Sequence, residues 1–92
     1  MIQIDKKTVP EYAGGCPSQW SFKTKDGKDV YARLRHGYFA LYVWCSEEPM
    51  TLSQKWNDGL AFDGKPNGFD GIMNTEEMID YVERSNENIR FI

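Results

Sequence analysis

Residues 18–44 read SQWSFKTKDGKDVYARLRHGYFALYVW. Aromatic and β-branched residues alternate with polar ones on both sides of two turn signals, Asp26-Gly27 and His36-Gly37, which predicts a three-stranded antiparallel meander. The first turn can close in two ways. As a two-residue turn, Asp26-Gly27 sets Lys25 opposite Lys28 and puts Trp20 and Phe22 on one face with Tyr31 and Arg33, so that neither face is apolar. If instead Lys25-Asp26 form the turn and Gly27 is a left-handed bulge residue, Thr24 meets Lys28, and Trp20 and Phe22 join Val30, Ala32 and Leu34. A one-residue slip flips every side chain, so only the bulged register is consistent with a buried face.

A two-residue turn at His36-Gly37 then sets Leu34 against Phe39 and Ala32 against Leu41. The predicted core face carries Trp20, Phe22, Val30, Ala32, Leu34, Phe39, Leu41 and Val43. The opposite face carries Gln19, Ser21, Lys23, Tyr31, Arg33, Arg35, Tyr38, Ala40, Tyr42 and Trp44. It reads as aromatic and basic with no carboxylate, and is the candidate working surface.

Ninety-two residues make one small domain, spanning 1–92, that buries only about 60–65 % of its unfolded surface. A hydrophobic fraction of 40 % with five Phe, five Tyr and three Trp is too rich for a disordered chain. No apolar run approaches the ~18 residues of a membrane span, and Met1-Ile2-Gln3-Ile4-Asp5 lacks a signal-peptide core, so the expected compartment is the cytoplasm. The net charge of −3 is unevenly spread. Residues 18–45 hold five Lys/Arg against two Asp, whereas residues 46–92 hold four against ten Asp/Glu, a polarity able to orient a partner.

Outside the meander, Ile2 and Ile4 alternate with polar residues as an edge strand that would extend the sheet. Pro10, Gly14, Gly15 and Pro17 mark residues 6–17 as a loop. Residues 51–57 read as a short helical turn, and 58–71, with four glycines and Pro66, as a long loop. Asn74-Thr75-Glu76-Glu77 has the capping-box pattern and opens a helix over residues 75 to about 85, with Met78, Ile79 and Val82 as its apolar stripe and Tyr81 at the margin. Ile89 and Phe91 mark a closing strand. The expected fold is α+β: an antiparallel meander of three strands plus terminal strands, with one helix packed on one face.

Several constellations suggest chemistry and fall short of it. Asp70, Gly71, Met73 and Glu77 match the fifth, sixth, eighth and twelfth positions of a calcium-binding EF-hand loop, but Pro66 and Gly68 would occupy its first and third positions and supply no carboxylate. A turn feeding a capped helix accounts for the same residues. Cys16 and His36 would fall at the same end of the first two strands, as a nucleophile and base must, yet nothing indicates a third, orienting residue, and His36 suits a turn. One His and two separated Cys do not supply the about four ligands of zinc. Cys16 and Cys45, at opposite ends of the meander and roughly 20 Å apart, exceed the ~7 Å reach of a disulfide and read as reduced thiols. No cofactor signature is present.

Lys23, Arg33 and Arg35 interleave with Tyr31, Tyr38, Tyr42 and Trp44, a pattern that can stack on and neutralise single-stranded nucleic acid. The acidic balance and the missing glycine-aromatic strand motif weigh against that use. A loop from residues 58–71 burying Trp44 with Leu60, Phe62 or Phe69 would also explain the aromatics.

The combination of Cys16-Pro17-x-Gln19-Trp20, Asp26-Gly27, Tyr31-Ala32-Arg33-Leu34-Arg35-His36-Gly37, and Asp70-Gly71-Ile72-Met73 ahead of Glu76-Glu77-Met78 resembles small single-domain proteins of unknown function from phages and bacteria. The resemblance implies a small modulator that acts by binding. The expectation is therefore a non-enzymatic protein-binding module using Tyr31, Arg33, Arg35, Tyr38, Tyr42 and Trp44. A single-stranded nucleic-acid binder on the same face is the second reading, and a small enzyme or calcium-binding protein the third.

Overall fold

The computed structural model describes residues 1–14, 18–45, 59–69 and 71–92. In chain order the elements are β1 (Ile2–Ile4), a 3-10 turn (Lys6–Thr8), β2 (Gln19–Lys23), β3 (Asp29–Arg35), β4 (Tyr38–Trp44), β5 (Leu60–Gly64), α1 (Thr75–Ser85) and β6 (Ile89–Phe91). Strands β2-β3-β4-β5 form one antiparallel sheet, and β1 pairs with β6 in a separate parallel pair.

The hairpin β2–β3 takes the bulged register, with Phe22 opposite Val30 and Trp20 opposite Ala32. Gly27 has φ of 88° and donates its amide to the Thr24 carbonyl at 3.1 Å. The Lys28 amide reaches the Thr24 hydroxyl instead of the Thr24 carbonyl, at 2.9 Å. A threonine side chain thus closes the rung that the extra residue opens. At the second turn His36 and Gly37 both have positive φ, 51° and 75°, as a two-residue hairpin with the twist of its strands requires. Leu34 faces Phe39, and Ala32 faces Leu41.

Trp20, Phe22, Val30, Ala32, Leu34, Phe39 and Leu41 are buried on one face against Met73, Met78 and Val82 of the helical segment and against Ile4, Ile89 and Phe91 of the terminal pair. Helix α1 spans the expected residues because its ends are local. The Asn74 side chain accepts the Glu77 amide at 2.8 Å, and Glu77 accepts the Asn74 amide at 2.9 Å. Met78 and Val82 are fully buried, while Ile79 and Tyr81 flank the core. The radius of gyration is 12.3 Å, the ~12 Å of a fully folded chain of this length.

Two expectations need correction. Residues 60–64, expected within a long loop, are the fourth strand of the sheet. The strand is short, glycine-flanked and irregular: Leu41 pairs with Phe62 but Tyr42 with Leu60, leaving Ala61 as an extra residue. Its ladder to β4, not its own propensity, makes it a strand. The second correction concerns Ile2 and Ile4. They do not add a strand to the meander; they run parallel to Ile89 and Phe91, and among the described residues their backbone pairs with the sheet at a single Ile4–Thr24 bridge. The outer edge of β2 is already occupied at both ends, since Lys23 N–H donates to the Thr8 hydroxyl at 2.9 Å and the Gln19 carbonyl accepts the Gly14 amide at 2.8 Å. The terminal strands therefore satisfy each other.

The expected helical turn at 51–57, Cys16 and its placement relative to Cys45 and His36, and Asp70 of the EF-hand-like stretch lie outside the described residues. Cys45 is a free thiol. Among the described residues no helix is long and apolar enough to cross a membrane.

Candidate binding face

With α1 and the β1–β6 pair on one side of the sheet, the other side is formed by the alternate residues of β2, β3, β4 and β5. Its cross-strand rows follow from the register. Gln19, Arg33, Ala40 and Asp63 make one row, and Ser21, Tyr31, Tyr42 and Leu60 the next. Lys23, Asp29 and Trp44 make a third, and Arg35 and Tyr38 close the sheet at the second turn.

The six candidate residues share this face but not one environment. Arg35 is exposed and Tyr38 is 40 % exposed. Tyr31, Arg33 and Trp44 are half-buried. Tyr42, expected on an open surface, is only 7 % exposed. It lies mid-sheet between Tyr31 and Leu60, and its ring stacks on Tyr31 with centroids 6.4 Å apart. Burial pushes the Tyr42 hydroxyl above its ordinary pKa, the Arg33 charge opposes this, and the Asp63 and Tyr31 charges add to it. Tyr31, Arg33, Tyr42 and Trp44 each make further interactions, so their role is partly structural.

The register also places two carboxylates on a face expected to have none. Asp29 sits opposite Lys23 and forms an ion pair with it. Asp63 arrives with β5 and accepts the Tyr38 hydroxyl. That hydrogen bond, followed by burial and the Asp63 charge, pushes the Tyr38 pKa up to about 12. The face is thus mixed in charge. Asp29 was legible, because it shares the parity of Tyr31 and Arg33; Asp63 and Leu60 became visible only with the fourth strand.

Phe62 and Phe69 pack with the helix-side core and do not cover this face. Leu60 lies on the Tyr42 side and is 43 % exposed. Two open hollows flank Ser21 and Tyr31. One, of about 370 Å³, is also lined by Lys23, Asp29 and Trp44, and the other, of about 440 Å³, by Pro10, Tyr12 and Gln19.

Glu77, the EF-hand-like twelfth position, spends one carboxylate oxygen on the helix cap. Among the described residues no group of three or more His, Cys, Asp or Glu side chains is placed to hold a metal ion. No protein-family model, curated protein or solved structure matches the chain.

Proposed function

We propose that the protein is a small non-enzymatic binding module that recognises another protein through the sheet face opposite α1, as a phage-type modulator or inhibitor of a host protein would. The observation that supports this reading is the exposed end of that face. Arg35, Tyr38 and Leu60 stand open beside Asp63, while the apolar residues of the opposite face are buried apart from half-buried Val43 and Phe62. Tyr and Arg dominate interface energetics when they become desolvated, and a rim of mixed charge suits a protein more than a polyanion. Tyr38 is the anchor, Arg35 and Asp63 set the charge pattern, and half-buried Tyr31, Arg33 and Trp44 shape the floor around buried Tyr42. Single-stranded nucleic acid is the competing partner.

The test compares wild type with an Arg35→Ala, Tyr38→Ala double variant in affinity capture from host extract, with melting temperature measured on both. A protein retained by wild type, lost by an equally stable variant and then shown to bind directly with at least about tenfold weaker affinity for the variant, ~1.4 kcal/mol, supports the reading. Binding of a single-stranded oligonucleotide whose salt dependence falls by close to one unit of slope in Arg35→Ala would replace it.

A further inference from the structure

We infer that the exposed turn at Asn67-Gly68 is a site of spontaneous covalent modification, at which the folded protein converts Asn67 to isoaspartate and aspartate through a cyclic imide. The reaction needs two things: an uncommitted side-chain amide and a following backbone nitrogen free to attack it. Both residues are exposed in a turn. Gly68 has φ of 85°, and nothing lies within 4 Å of where a Cβ would sit. No hydrogen bond engages the Asn67 side chain or the Gly68 amide among the described residues.

The two other Asx-Gly steps whose residues are both described lack this freedom. At Asp26-Gly27 the glycine has nearly the same backbone, φ 88°, but its amide is held by the Thr24 carbonyl at 3.1 Å. The Asp26 side chain also accepts the Thr24 hydroxyl, which lowers its pKa and keeps it a poorly electrophilic carboxylate. At Asp63-Gly64 the carboxylate accepts the Tyr38 hydroxyl and the glycine is paired with Phe39 in the sheet. The remaining described asparagines are poor substrates for a different reason. Asn74 is locked as the helix cap. The Asn86 side chain accepts the Asn88 amide at 2.8 Å, and Asn88 precedes the buried, β-branched Ile89.

In the first step hydroxide removes the Gly68 amide proton, and the nitrogen attacks Asn67 Cγ. A C–N bond forms to Gly68, the bond from Cγ to the side-chain nitrogen breaks, and ammonia leaves with a proton from water. Water then adds to one of the two imide carbonyls and opens the ring. Opening on one side restores an aspartyl residue; opening on the other carries the main chain through the side-chain carbon. Either product replaces a neutral amide with a carboxylate, adding one negative charge to a chain already at −3.

The test is peptide mapping by mass spectrometry, with fragmentation that separates the two isomers, on folded protein aged at mildly alkaline pH. Asn67 should convert at least about tenfold faster than Asn74, Asn86 or Asn88, the ratio of a ~1.4 kcal/mol barrier difference. Gly68→Ala should slow it by about the same factor, and Asn67→Gln should remove the acidic species that ion exchange resolves. Equal rates at the four asparagines would overturn the inference. So would a rate at Asn67 that rises more than about tenfold when the chain is unfolded in urea, because the native turn would then be protecting the site.

Discussion

Thr75 joins three parts of the chain through one hydroxyl. It accepts the indole N–H of fully buried Trp20 at 3.0 Å and donates to the Pro10 carbonyl at 2.9 Å, so the sheet, the first helical residue and the 9–14 segment are fixed together. Thr75→Val keeps the shape and leaves the indole N–H unpaired in the core, which should cost about 2 kcal/mol in the urea midpoint, whereas Thr75→Ser should cost much less. Tyr38 gives a second test at this scale, read by pH. Its folded pKa of about 12 lies above the ordinary ~10 of a tyrosine. The stabilisation from its protonated hydroxyl is therefore complete below pH ~10 and is lost as pH rises through about 12. In an alkaline absorbance titration, Asp63→Asn should bring one tyrosine ionisation down toward 10, and Tyr38→Phe should delete the late step. A titration unchanged by either variant would remove the Tyr38–Asp63 pair from the face.

Elements differ in how much of their structure is local, and that difference decides what was legible in the sequence. The capping box of α1 is written in four consecutive residues, so its start could be read directly; Asn74→Ala should cost about 1 kcal/mol by denaturant unfolding. The bulged hairpin was legible for another reason: only one register gathers Trp20, Phe22, Val30, Ala32 and Leu34. Strand β5 offered neither kind of signal. Leu60-Ala61-Phe62-Asp63-Gly64 has no alternation, and its pairing with β4 shifts register at Leu41 and Tyr42. Its last residue shows how far it depends on tertiary contact. A Cβ on Gly64 would stand 2.2 Å from the Tyr81 hydroxyl, and Tyr81 is itself packed edge-on against Phe39 with centroids 5.4 Å apart. Gly64→Ala should destabilise by about 1–3 kcal/mol as that ring is displaced. A neutral effect would show that β5 and α1 are not packed together.

At the scale of the molecule, the sheet divides a helix-covered core from a mixed-charge face that ends in Arg35 and Tyr38. The division itself followed from residue parity in the meander. Two features of the face did not: the burial of Tyr42 and the carboxylate of Asp63, because both come from neighbours distant in sequence. The pairing of the terminal strands was hidden similarly, since Ile2 and Ile4 alternate equally well for a place on β2 and for a place beside Ile89 and Phe91. The composition of the proposed binding face follows from the register of β3 against its neighbours, in which adjacent residues Leu34 and Arg35 point to opposite sides. The most direct measurement is the urea unfolding free energy of Leu34→Ala beside that of the Arg35→Ala, Tyr38→Ala double variant. Leu34→Ala should lose about 3 kcal/mol by emptying a fully buried site, and the double variant no more than about 1 kcal/mol, as exposed substitutions do. Equal losses, or a larger loss in the double variant, would contradict both the register and the face assigned to binding.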